Sequence, residues 1–126
     1  MSKISNKKIG TLGEEIVCRY LKNKRFSIIS TNYREKFGEI DVIAKDGQKI
    51  HFIEVKSVSC ENLDELPRFR PEENVHKHKQ GQIKKVIESY LSDKKVGDWQ
   101  IDVMAVFIDQ ASKRAIVKPL WNLVFE

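Results

Sequence analysis

The sequence predicts a mixed α/β fold built in the order αβββαββ. Three observations carry this reading. Two segments place apolar residues at helical spacing, and five shorter ones read as strands. Asp46-Gly47 sits between two alternating segments as a hairpin signal. One mixed sheet with helices packed on it buries both kinds of pattern at once.

The first helix covers roughly 7–24. Ile9, Leu12, Ile16, Val17, Tyr20 and Leu21 centre on one stripe of a wheel that advances about 100° per residue. Gly13 falls inside that stripe, where a glycine costs roughly 1 kcal/mol of helix propensity. Close packing against a neighbour is the expected reason. Glu14 lies at the edge of the stripe and Glu15 points away, so only Glu14 can reach toward the body of the protein. Cys18, beside the stripe, reads as a small hydrophobe.

Residues 26–31 read as a short strand and 32–37 as a polar turn. Residues 38–45 alternate, with Ile40, Val42 and Ala44 on one side. If Asp46-Gly47 is a two-residue turn, Lys45 faces Gln48 and Asp41 faces Phe52. Glu39 and Asp41 then share a face with Phe52, Glu54 and Lys56, while Ile53 and Val55 take the other. The acidic face also carries Ile43 and Ile50, which makes it too apolar for plain solvent surface.

Residues 58–74 form an irregular stretch holding Pro67 and Pro71, and loops of that length are often functional. Val75, Ile83, Val86, Ile87, Tyr90 and Leu91 mark a second amphipathic helix, weakened early by Gly81 and ending near Ser92. Lys79 lies one turn before Ile83 on its inward side. Residues 99–108 and 115–120 are the last two strands.

The 126 residues, 14.7 kDa, suit one domain, 1–126, with its core at about 7–120. The longest apolar run, Val103 to Ile108, falls far short of the ~20 residues that a membrane helix needs. The polar, basic start has no secretory pattern, so a cytoplasmic location and no membrane partner are expected. Cys18 and Cys60 form no disulfide framework, and no CxxC or HxxxH pattern suggests zinc. A net charge of +5 favours a polyanionic partner, but the basic residues are spread along the chain and charge alone is a weak signal.

The chemistry-bearing constellation is Asp41 followed by Glu54-Val55-Lys56. Two carboxylates on adjacent strands can hold a hard divalent cation through oxygen ligands. The Val55 carbonyl is a further ligand, and Glu14 can complete the shell from the first helix. An ammonium at Lys56 can orient or help deprotonate a water and offset charge developing on a phosphate. This is equipment for hydrolysing a phosphodiester. The acid-x-Lys spacing itself is unspecific. It occurs twice, at Glu54-x-Lys56 and at Asp93-x-Lys95, about the number expected by chance. A cross-strand salt-bridge network is the other reading of the same residues.

The chain resembles the YraN-like proteins, a small bacterial group within the PD-(D/E)xK, or restriction-endonuclease-like, nuclease superfamily, which also contains the Holliday junction resolvases. The motifs that carry the resemblance run from Gly10 to about Val106. They are Gly10-x-x-Gly13-Glu14, Asn32-Tyr33-Arg34, Gly38-Glu39-Ile40-Asp41, Phe52-Ile53-Glu54-Val55-Lys56, Asn74-Val75-His76 with Lys79, Tyr90-Leu91 and Trp99-x-x-Asp102-Val103. The resemblance implies a restriction-endonuclease-like core. It matches Asp41 and Glu54 to the metal-binding acids, Lys56 to the catalytic lysine, Glu14 to a helix acid added in several members, and Lys79 to a lysine facing the same cleft. Ile40 stands where the superfamily's name has proline, and Val58 stands where many relatives have an arginine.

The resulting expectation is a nuclease or nuclease-like protein that uses Mg²⁺ or Mn²⁺ and acts on DNA rather than RNA, on branched or single strands. Arg34, Arg68, Arg70 and Lys79 are the candidate nucleic-acid contacts, with Phe69 interleaved between two of them. A homodimer is expected if junctions are the substrate, because two symmetry-related strands must be cut. A non-catalytic nucleic-acid-binding module and a protein-interaction domain are the alternatives. His51 reads as a packed or edge histidine, His76 and His78 as loop or helix-start contacts, Trp99 and Trp121 as packing residues, and Asp102 as half of a structural salt bridge.

Overall fold

The computed structural model describes residues 5–68, 77–95 and 97–124. Its elements follow the expected order: α1 (Asn6–Asn23), β1 (Ser27–Glu35), β2 (Gly38–Asp46), β3 (Lys49–Ser59), α2 (Lys77–Leu91), β4 (Asp98–Asp109) and β5 (Arg114–Leu120). Ser5 caps α1, its side chain accepting the Lys8 N–H at 3.3 Å.

The strands form one mixed sheet in the order β1-β2-β3-β4-β5. β3 and β4 run parallel and every other pair is antiparallel. A parallel pair needs a crossover, and α2 supplies it. α1 covers one face, where Val17 and Leu21 meet Val42, Ala44, Ile53, Met104 and Val106. α2 covers the other, where Ile83, Val86, Ile87 and Tyr90 meet Ile43, Phe52, Ile101 and Val103. β4 is therefore buried on both sides, which explains why its sequence is an unbroken apolar run rather than an alternation.

Three local expectations are corrected. The hairpin loop is Gly47-Gln48, since Asp46 pairs with Lys49. Gly47 at φ 60 takes the first loop position, as a type II′ turn requires. The register moves by two residues, so the shift itself turns no side chain to the other face. β1 continues through the polar segment to Glu35, with a bulge between Ile28 and Ser30 and Asn32 at φ 51. Finally, Ile40 packs on the α2 side while Val42 and Ala44 pack on the α1 side, so alternation breaks at Asp41.

Gly13 does what its place in the α1 stripe suggested. A methyl there would overlap Ser57 Oγ and stand 3.0 Å from Ser57 Cβ. The bare backbone lets α1 lie directly on the end of β3, and this brings Glu14 to the Glu54–Lys56 segment.

Candidate functional site

β2 stays paired with β1 on both sides of Asp41, from Ser27↔Lys45 to Glu35↔Gly38. Its ladder with β3 stops at Val42↔Ile53. β3 meanwhile stays paired with β4 as far as Ser59↔Ile108. The two strands of the hairpin therefore part at Asp41, and the opening between them is walled by Asp41 on one side and Glu54 to Lys56 on the other.

Asp41 fills the break in the ladder. Its Oδ2 accepts the Val55 N–H at 2.8 Å, a donor that an unbroken antiparallel pair would have given to backbone. The carboxyl is pushed up to about 7. Desolvation is the largest cause, followed by the charge of Glu54; the Val55 hydrogen bond opposes both, and Glu14 adds a smaller upward push. Glu54 is held from the α2 side, where Lys79 Nζ donates to its Oε1. Among the described residues the second oxygen of each carboxylate takes no hydrogen bond.

Two clefts flank this segment. One, of about 270 Å³, is lined by Gly38, Glu39, Asp41, Glu54, Lys79, Gln82 and Ile83. The other, of about 440 Å³, lies on the α1 side and includes Gly10, Glu14, Val55, Lys56 and Ser57. Asp41, Glu54 and Lys79 thus meet in one cleft, while Glu14 and Lys56 meet in the next, with Val55 between them. Lys56 is exposed.

The other expected nucleic-acid contacts fall differently. Arg34 Nε donates to Glu39 Oε2 at 2.9 Å on the exposed side of the hairpin. Arg68 is exposed in the segment after β3. Arg70, like Phe69 and His76, lies outside the described residues. Gln82 lines the acidic cleft without having been expected there. Its signal was its place one turn beyond Lys79 on α2.

The donor set suits a hard divalent cation: two carboxylates with their charges forced together, and a third in electrostatic reach. Among the described residues no three His, Cys, Asp or Glu side chains already converge as a cage. Asp41 and Glu54, with Glu14 on α1, are the residues that could hold such an ion.

His51 and Asp102 belong elsewhere. His51 Nδ1 meets Asp102 Oδ2 at 2.6 Å, and both residues are buried. Asp102 Oδ1 also takes Gln100 Nε2 at 2.6 Å and the Asn122 N–H at 2.9 Å. Phe26 and Trp121 pack on the imidazole at 5.0 and 5.8 Å between ring centroids. The pair is a structural tie between β3, β4 and the chain after β5. Among the described residues no helix is long and apolar enough to cross a membrane.

Comparison with known proteins gives relatives along nearly the whole chain. A UPF0102 protein of Alkaliphilus oremlandii is 35% identical over 119 residues, covering 93% of this chain and 97% of its own length. A UPF0102 protein of Campylobacter lari is 42% identical over 101 residues, covering 79% and 84%. Among solved structures, Pyrococcus furiosus SfsA in complex with Ca²⁺ is 14% identical, with a TM-score of 0.39, covering 97% of this chain and 66% of that one. A likeness that distant carries no conclusion. The profile described as "Uncharacterised protein family UPF0102" matches residues 13–106, which include Glu14, Asp41, Glu54, Lys56 and Lys79. The chain belongs to that family.

Proposed function

We propose that this protein is a divalent-metal-dependent nuclease that hydrolyses phosphodiester bonds in DNA. One observation carries the reading: Asp41 and Glu54 wall the same opening where β2 and β3 part, and burial first, then the charge of Glu54, push the Asp41 carboxyl up to about 7. Two carboxylates forced together in a half-buried site store repulsion that a cation relieves.

Asp41, Glu54 and the Val55 carbonyl are the ligands, with Glu14 assisting. Bound there, Mg²⁺ or Mn²⁺ would supply Lewis-acid polarisation of the phosphate and acidify a water molecule. The chain's own groups do the rest. Lys56, exposed on the α1 side, orients the attacking water and offsets negative charge building on the phosphate. Lys79 exchanges Glu54 for a phosphate oxygen when substrate enters. The water oxygen bonds to phosphorus, the bridging P–O bond breaks with its electron pair going to the departing alkoxide, and the proton the water gives up ends on that alkoxide.

The test is to incubate the purified protein with flap, junction and single-stranded DNA, with and without Mg²⁺ or Mn²⁺. Cleavage should need metal and fall at least about 100-fold in Asp41→Ala and in Lys56→Ala. Cleavage that survives either substitution removes that residue from the mechanism. A second reading, a DNA-binding module without turnover, is favoured by the ion pair that already engages Glu54 with Lys79. It predicts salt-dependent binding with no metal-dependent cutting.

A further inference from the structure

The loop between β1 and β2 is Lys36-Phe37, because Glu35 pairs with Gly38. Two-residue hairpin loops ordinarily take Asn, Asp or Gly. Here a phenylalanine sits at the tip and stays 43% exposed. Other large exposed aromatics have ring partners: Trp99 packs on Phe52 and Trp121 on Phe26, at centroid separations of 5.8 and 5.9 Å. Among the described residues, Phe37 has instead an ammonium, Lys85 Nζ, 5.5 Å from its ring centroid.

The tip is also held firmly. Glu35, at the end of β1, accepts hydrogen bonds from the Tyr33 hydroxyl and, at 3.0 Å, from Ser89 Oγ of α2. Gly38, next to Phe37, lines the cleft with Asp41, Glu54 and Lys79. Asp41 lies three residues along the strand from Gly38, a span of about 10 Å. Glu39 is paired with Arg34, Lys36 is the ring's neighbour in the loop, and Lys85 lies over the ring.

We propose that Phe37 stacks on an unpaired base of a DNA strand whose phosphate lies in the Asp41–Glu54 cleft, with Lys36 and Lys85 pairing the flanking phosphates. This rests on the nuclease reading and adds its substrate class: DNA with an unpaired nucleotide beside the bond to be cut. A flat, rigidly mounted aromatic between two lysines suits a base and its backbone. In a duplex both faces of a base are already covered by its neighbours, so only a single strand, overhang or flap can use the ring.

The experiment measures binding in EDTA by fluorescence anisotropy, using one labelled strand alone, with a 3′ overhang, and as a blunt duplex. A 2-aminopurine placed along the strand reports stacking. The single strand and overhang should bind roughly tenfold tighter than the duplex, and Phe37→Ala and Phe37→Leu should remove that advantage and the 2-aminopurine quenching. Phe37→Trp and Phe37→Tyr should keep both, and duplex binding should be unchanged in all four. Circular dichroism melts of the variants should match the wild type, as the residue is at an exposed tip. Wild-type affinity for single strands in Phe37→Ala and Phe37→Leu, alongside metal-dependent cleavage, would overturn this inference and leave the nuclease reading standing. Tighter binding of the same strand made of RNA would overturn the DNA assignment. Failure to bind any of the DNAs in EDTA and again in Ca²⁺ would overturn both.

Discussion

Asp41 Oδ2 accepts the backbone N–H of Val55 at 2.8 Å, so a side chain completes the hydrogen bonding where two strands separate. That bond fixes one carboxylate against the strand that carries Glu54 and Lys56. It keeps Asp41 where the charge of Glu54 adds to burial in raising its pKa.

The first consequence is a pH dependence of stability in EDTA. Asp41 rises from 3.8 in the unfolded chain to about 7 when folded, so the folded state holds that proton more tightly. Its stabilising contribution is complete below about pH 4 and is lost as pH rises through about 7, by at most about 4 kcal/mol. Asp109 acts in the opposite sense. Its Ser112 hydrogen bond lowers its pKa, so its contribution is present at neutral pH and lost in acid. The difference between wild type and Asp41→Asn isolates the first effect. Urea midpoints measured from pH 4 to 8 should fall more steeply in the wild type, and saturating Mn²⁺ should flatten that slope.

Gly13→Ala should destabilise the protein by about 1–3 kcal/mol, the usual cost of overpacking, because the new methyl meets Ser57. Ser57→Gly in the same chain should restore most of the loss. Paired denaturation curves check this, and full stability of Gly13→Ala alone would contradict the close approach of α1 to β3.

Lys79→Ala should cost little stability, about 0–1 kcal/mol, since the ammonium is nearly half exposed. It also removes a charge that lowers the Asp41 pKa. The Asp41-dependent fall in stability should therefore move to higher pH. A midpoint that moves down would contradict the placement of Lys79 in the acidic cleft.

Asp102→Ala should be far more damaging, about 3–5 kcal/mol, because it strands the buried His51 imidazole and leaves Gln100 and the Asn122 N–H without their acceptor. Calorimetry checks the size. Metal-dependent cleavage per folded molecule should be unchanged, since this pair serves the sheet and not the cleft.

Much of this was legible in the sequence because it is written in periodicity. The stripe Ile9 to Leu21 and the alternation around Ile53 and Val55 fix which faces are buried. A two-residue register error left the Asp41–Glu54 proximity intact because a strand repeats every two residues. What periodicity could not show is where it breaks. Ile40 and Val42 sit two apart yet pack on opposite faces, and Asn32, across from that point, takes a left-handed φ that no alternation announces. The polar stretch Asn32–Glu35 looked like a turn because, on an edge strand, pairing with β2 holds it in place and apolar burial does not. The parallel union of β3 with β4 was equally hidden, since it depends on the path of α2. Lys79 was placed on the correct helix face, but its contact with Glu54 needed the third dimension.

The most direct test of the central claim is a crystal of the protein soaked in Mn²⁺, with the ion located by its anomalous scattering. The account predicts an ion bound by oxygens of both Asp41 and Glu54, with Glu14 drawn toward it. Intact carboxylates with no ion between them at saturating Mn²⁺, or an ion bound only elsewhere, would contradict it.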